Sequence, residues 1–146
     1  MLIVEDDSND LELELRALQQ IGLNDNIHIV RDGAEALDFL FSSGKYSGQQ
    51  TAKNLRLIVI DLKLPKVDGF DVIAAVKSDD RTKRIPVVVL SSSREDCDIV
   101  RSVGLGVSSY VAKPVEFDKF INTVSQIGRY WLKLNEYLPQ SRQAGV

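Results

Sequence analysis

The chain has 146 residues, of which 44% are hydrophobic and 27% charged, the balance of one globular domain with a single core. A net charge of −3 with both signs interspersed leaves no basic face for nucleic acid, and a lone cysteine, Cys97, rules out an internal disulfide. Nothing resembles a signal peptide and no apolar run approaches the roughly 18 residues of a membrane helix, so a cytoplasmic protein is expected.

In chain order, the first predicted strand covers about Leu2 to Glu5. Met1 stands almost at its start, as in a chain trimmed or renumbered from its native N-terminus. Helix one is expected from about Asn9 to Gln20, with Leu11, Leu15, Leu18 and Ile21 on one face, Ser8 as N-cap and Gly22 as its stop. Strand two covers Ile27 to Val30 and helix two about Ala34 to Phe41. The thirteen polar residues from Ser42 to Asn54 are long for a connection and read as an exposed insertion without a chemical role. Leu57-Ile58-Val59-Ile60 is continuously apolar, as in a strand buried on both faces, and ends at Asp61. Helix three covers about Phe70 to Lys77, strand four Val87 to Leu90, helix four about Asp96 to Val103, and strand five Ser109 to Ala112. The last segment, Phe117 to about Leu138, reads as one long helix, and the tail 139–146 as disordered. Five alternations of strand and helix predict a doubly wound, five-stranded parallel α/β sheet.

In such a sheet, ligands bind beyond the carboxyl ends of the strands. That edge collects Glu5 and Asp6 from strand one, Asp61 from strand three, Ser91 from strand four and Lys113 from strand five. Carboxylates brought so close need a cation, and oxygen ligands on loops suit Mg²⁺. Asp61 is then placed to attack phosphorus in line, with Lys113 and the Ser91 hydroxyl on the transferred oxygens.

These residues give the chain a resemblance to the receiver domain of two-component response regulators over about Leu2 to Ile127. Val4-Glu5-Asp6-Asp7 is similar to the family's acidic pair, and Ile60-Asp61-Leu62-Lys63-Leu64-Pro65 with Asp68-Gly69 to its phosphoacceptor loop. Ser91 stands at the Ser/Thr switch position, Tyr110 at the aromatic switch position, and Lys113-Pro114 at the family's lysine and proline. The resemblance implies a flavodoxin-like (βα)5 fold and a Mg²⁺ site made by Glu5, Asp6, Asp61 and the backbone carbonyl of Lys63. It also implies a cis bond before Pro114 and a histidine kinase as phosphoryl donor. What it implies is a signalling domain rather than an enzyme, one that assists its own phosphorylation and dephosphorylation. Lys63 sits where a side chain can shield an acyl phosphate from water. The polar insertion and Ile127-Gly128-Arg129-Tyr130-Trp131-Leu132 are similar to single-domain regulators that partner phytochrome-type kinases.

A haloacid-dehalogenase-like hydrolase would need a second Asp two residues after the nucleophile, where this chain has Lys63. A nucleotide- or flavin-binding module lacks its Gly-rich turn after strand one. A receiver-like domain that is never phosphorylated fits poorly with a complete site, and the length leaves no room for a DNA-binding output. His28, the lone histidine, is expected to face solvent, and Cys97 to be an ordinary thiol. Phe117, Phe120, Val124, Ile127, Trp131 and Leu134 recur at steps of three and four. The second half of that stripe, with Tyr130, Trp131 and Leu134, is expected to face water in a monomer and to form a homodimer interface.

Overall fold

Short apolar runs make the sheet. In a computed structural model that describes residues 1–23 and 26–134, β1 (Leu2–Val4), β3 (Ile58–Ile60) and β4 (Val87–Ser91) are buried along their whole length. With β2 (His28–Val30) and β5 (Ser109–Ala112) they form one parallel sheet in the order β2-β1-β3-β4-β5. The predicted α/β fold is the observed one. Alternate strand residues serve two cores. Leu2, Val4, Ile58, Ile60, Val87 and Val89 pack with α2 (Gly33–Phe41), α3 (Gly69–Ser78) and α4 (Arg94–Val103). Ile3, Val59, Val88 and Leu90 pack on the other face with α1 (Ser8–Gln20) and α5 (Phe117–Gly128). Helices on both sides explain why these strands read as unbroken apolar runs rather than alternating ones.

The helix starts correct the sequence expectations in small ways. Asp7, not Ser8, caps α1: its carboxylate accepts the backbone N–H groups of Asn9 and Asp10, both at 2.9 Å. Ser8 is instead the first helical residue, and its hydroxyl accepts a hydrogen bond from Arg31. Ser93 caps α4, which therefore begins at Arg94 rather than Asp96. Gly22, at φ +77°, ends α1 as anticipated. Glu5 and Asp61 lie one residue past their strands rather than at the last strand position.

Three larger expectations change. The Ser42–Asn54 segment is not merely an exposed insertion. It contains a short 3₁₀ turn (Gly44–Tyr46) whose Tyr46 ring packs edge-on against Phe39 at 5.2 Å. The Thr51 hydroxyl donates to the Phe39 carbonyl, and Ala52 rests on the α2–α3–α4 core. The Lys113–Pro114 bond is trans, as is every peptide bond among the described residues; trans is the form that X–Pro bonds intrinsically favour by about 0.5–1 kcal/mol.

The last helix does not run on as one α-helix. It ends at Gly128, followed by a wider π-helical turn over Arg129–Leu134. A Cβ on Gly128 would lie 2.7 Å from Leu18 Cδ2, so glycine lets this turn close onto α1. The Lys133 ammonium donates to the Ile21 carbonyl at the end of α1. Trp131 is consequently half-buried against the α1–α5 core rather than facing water, whereas Tyr130 stays 52% exposed with its ring edge-to-face on Trp131. The Leu134 side chain, the expected helix end at Leu138 and the tail 139–146 lie outside the described residues.

Candidate functional site

The strand order places β1 between β2 and β3, so chain connections leave β1 and β3 in opposite directions and open a crevice beyond their carboxyl ends. Backbone hydrogen bonds fix that edge. Glu5 N–H donates to the Val30 carbonyl and Asp61 N–H to the Val4 carbonyl, both at 3.1 Å, so the carboxylate-bearing residues continue the sheet ladder. The loop after Asp61 is packed just as tightly. A Cβ on Gly69 would lie 2.6 Å from the Asp61 carbonyl and from Leu62 Cα, so only glycine lets α3 start this close. On the far side, the Lys113 N–H donates to the Ser91 carbonyl at 2.7 Å, which ties the lysine to the end of β4.

Lys113 sits at the centre. Its ammonium lies 2.7 Å from Glu5 Oε1, 2.7 Å from Asp61 Oδ2 and 2.8 Å from Asp10 Oδ2, and its side chain is only 5% exposed. Three donors thus meet three carboxylates. Burial alone would lower the lysine's pKa, but the hydrogen bonds to Asp10, Asp61 and Glu5 outweigh it and hold the group well above its ordinary value. Burial pushes the Glu5 carboxyl up to about 7, against the opposing pull of Lys113.

Glu5, Asp6 and Asp61 each present a carboxylate oxygen, and these oxygens lie within 4.8 Å of one another. Glu5 and Asp61 are buried and Asp6 is exposed, an all-oxygen, half-open set that fits a hard divalent cation still carrying water. The Lys63 N–H donates to Asp61 Oδ1 at 3.2 Å and its side chain points to solvent. Ser91 is fully buried, and its hydroxyl accepts the Ser93 N–H at 3.3 Å. Tyr110 is half-buried under the guanidinium of Arg101, 5.4 Å from its ring centroid. Glu5, Asp6, Asp61 and Lys113 are thus together, with Ser91 at the adjoining strand end and Tyr110 on β5, three residues before Lys113. Tyr130 and Trp131 belong to the opposite end of the chain. His28 is exposed as expected, its ring tilted 46° to that of Phe39 with centroids 5.0 Å apart.

Three contributors escaped the sequence reading. Asp10 pairs with Lys113 from the first turn of α1. Glu14, one turn later, is 2% exposed, with Oε2 lacking a hydrogen-bond partner among the described residues. Burial, and then the neighbouring Glu5 charge, holds its carboxyl well above the usual range. Glu14 stands in the Leu11/Leu18 stripe at steps of three and four, so an acidic residue on the buried face was a readable signal. Arg31 leaves the end of β2 and clamps the acidic loop. Its Nε donates to the Glu5 carbonyl at 3.1 Å, and its Nη2 donates to the Asp6 carbonyl and Ser8 Oγ, both at 2.8 Å. Only long-range pairing of β2 with β1 brings it there.

Known proteins resemble this chain over most of its length. The profile of the response regulator receiver domain matches residues 1–125. The probable methanogenesis regulatory protein FilR2 of Methanothrix harundinacea is 38% identical over 92% of this chain and 84% of its own length. The crystal structure of the phosphorylated cyanobacterial phytochrome response regulator RcpA superposes with a TM-score of 0.82 at 38% identity, over 92% of this chain and 94% of that one. The Mn²⁺-bound form of response regulator Rcp1 superposes at 0.83 with 34% identity, over 94% and 96%. An acidic crevice at the β1/β3 carboxyl edge, with a lysine from β5 reaching into it, is therefore found in a chain that belongs to the response regulator receiver domain family.

Proposed function

We propose that this chain is a phosphorylation switch in which Asp61 accepts a phosphoryl group from the phosphohistidine of a histidine kinase. The observation that carries the reading is the Lys113 ammonium, 2.7 Å from Asp61 Oδ2, beside the three-carboxylate cluster. Asp61 attacks phosphorus, the bond from phosphorus to the donor's nitrogen breaks, and an acyl phosphate forms on the carboxylate. Glu5, Asp6, Asp61 and the Lys63 carbonyl would hold Mg²⁺, which would supply positive charge to offset that of the incoming group. Lys113 pairs with the transferred oxygens and Ser91 donates its hydroxyl to one of them. The inward pull on Ser91 then opens room for Tyr110 to turn, a population shift worth about 1–3 kcal/mol. The same site returns phosphate to water, so the domain assists its own dephosphorylation.

The Mn²⁺-bound Rcp1 structure supports a divalent cation here, and the RcpA likeness supports a phytochrome-type kinase as partner, in the cytoplasm. The chain acts as a homodimer whose contact includes Tyr130 beside Trp131 and Leu134. The exposed Tyr130 ring supports this, with Trp131 as its half-buried backing.

Intact mass after incubation with acetyl phosphate and Mg²⁺ tests the reading. The wild type gains one phosphoryl group and Asp61→Asn gains none, because an amide is a poor nucleophile. Labelling of Asp61→Asn to the wild-type level on another residue contradicts the assignment. Sedimentation tests the dimer: Tyr130→Ala shifts the protein toward monomer, whereas a wild type that is monomeric at high micromolar concentration, with and without phosphate, refutes it.

A further inference from the structure

Lys113 and the cation draw on the same carboxylates. The ammonium already holds Glu5 and Asp61, two of the three carboxylates that form the cation cluster. A divalent ion drawing on Glu5, Asp6 and Asp61 shares the negative charge of two of the three partners of Lys113 and sets a second positive charge beside it. The Lys113 side chain is 5% exposed, so water cannot replace what it loses, and a buried ammonium left unpaired is strongly unfavourable.

Asp10 stands outside that shared set. It is not part of the cation cluster, yet its Oδ2 is 2.8 Å from the ammonium. Its backbone is pinned, since its N–H donates to the Asp7 carboxylate that caps α1. Its side chain is 30% exposed, so it bears little of the desolvation that burdens Glu5. One turn on, Glu14 lies buried within the field of Lys113 and carries an oxygen with no hydrogen-bond partner among the described residues, a further acceptor on the same helix.

We propose that Asp10 is a positioning residue: the carboxylate on α1 to which Lys113 stays bound when a divalent cation takes Glu5 and Asp61, so that it lowers the cost of loading the site. This rests on the cation reading of the acidic cluster. It follows that removing the Asp10 charge leaves Lys113 dependent on Glu5 and Asp61, where it resists the cation. A simple loss of negative charge near the site would also weaken cation binding, but without acting through Lys113.

A double-mutant cycle separates these explanations. Mn²⁺ binding is measured by the free-ion paramagnetic resonance signal, with no phosphoryl donor present, for the wild type, Asp10→Asn, Lys113→Ala and the double variant. Asp10→Asn is expected to weaken Mn²⁺ about tenfold, and by less than about twofold in the Lys113→Ala background. Asp10→Glu, which keeps the charge, restores most of the affinity. Equal weakening in both backgrounds overturns the proposal in favour of a plain charge effect, and unchanged affinity in Asp10→Asn overturns it outright. A wild type that binds no Mn²⁺ removes the cation reading itself, and the proposal falls with it. The phosphoacceptor assignment is scored separately by the Asp61→Asn mass.

Discussion

The two sides of the crevice are built differently. On the β1/β3 side, the strands and two of the three clustered carboxylates are almost wholly enclosed: Glu5 is 1% exposed, Asp61 8% and Leu62 1%. The opposite side, from α4 through β5 to the start of α5, is loosely covered. All four residues of β5 are only half-buried, while Val103, Val115 and Phe117 stand 62%, 97% and 71% exposed. A site that must hold charges at 2.7 Å needs a stiff frame, and a surface that must change its partners needs few commitments. In the proposed switch, chemistry and response would therefore belong to different halves of one sheet, joined at Ser91 and Lys113.

Overpacking the stiff side gives the largest expected effect. Gly33 begins α2 against the loop after β3, where an added Cβ would lie 1.8 Å from the Val67 carbonyl oxygen. Gly33→Ala should cost about 1–3 kcal/mol in denaturant unfolding, since backbone rather than a flexible side chain must yield. An unchanged midpoint would show that this side is softer than its packing implies.

The pH dependence sharpens the same contrast. Glu5 has a pKa raised by burial from 4.5 to about 7, so the folded state binds its proton more tightly than the unfolded chain. Its contribution to stability is full below pH 4.5 and is lost as pH rises through about 7. Unfolding measured between these values without divalent cation should show a loss on the order of 1–3 kcal/mol, and Glu5→Gln should flatten it. A wild-type profile that rises over this interval would contradict the buried-acid account.

The junction comes next. Ser91→Ala removes a buried hydroxyl whose present partner is the Ser93 N–H. Stability should fall by about 1 kcal/mol. Phosphate should still be incorporated, but the change in hydrogen exchange over α4 and β5 on phosphorylation should shrink. A full response in Ser91→Ala would disconnect the halves. Smallest of all, Phe117→Ser on the loose side should move the unfolding free energy by no more than about 0.5 kcal/mol. A larger loss would mean that this face is core.

The same division governs what could be read from sequence. Leu57-Ile58-Val59-Ile60 and Val87-Val88-Val89-Leu90 announce buried parallel strands by composition alone, and their ends point to Asp61 and Ser91 directly. Asp10 and Arg31 reach the site only because separate elements are brought together. Arg31 arrives through pairing of β2 with β1, and Asp10 through a lysine 103 residues away in sequence. Glu14 was legible in principle, as an acid within an apolar stripe, although the alternation of Glu12 and Glu14 with Leu11, Leu13 and Leu15 obscures that stripe. At the C-terminus, periodicity of three and four carries no record of a π turn, which inserts one residue per turn and swings Trp131 onto the domain. Asp7 caps α1 through local bonds to Asn9 and Asp10, while the Ser8 hydroxyl is taken up by Arg31, a non-local contact.

The packing of the first helix on the last has a consequence for how the chain is made. Ser125 donates to the Ala17 carbonyl across 108 residues, and Lys133 to that of Ile21 across 112. Leu11, Ala17 and Leu18 share their core with Phe120, Val124 and Ile127, so this face of β1 and β3 cannot close until α5 exists. During synthesis at about 5–20 residues per second, α1 waits roughly 5 to 20 s for the partner that covers it. The other core, built from α2, α3 and α4, draws on shorter separations and can consolidate earlier. Nascent chains arrested before residue 117 should therefore protect the α2–α3 side from proteolysis while α1 remains cleavable, making the final helix the step that completes the fold.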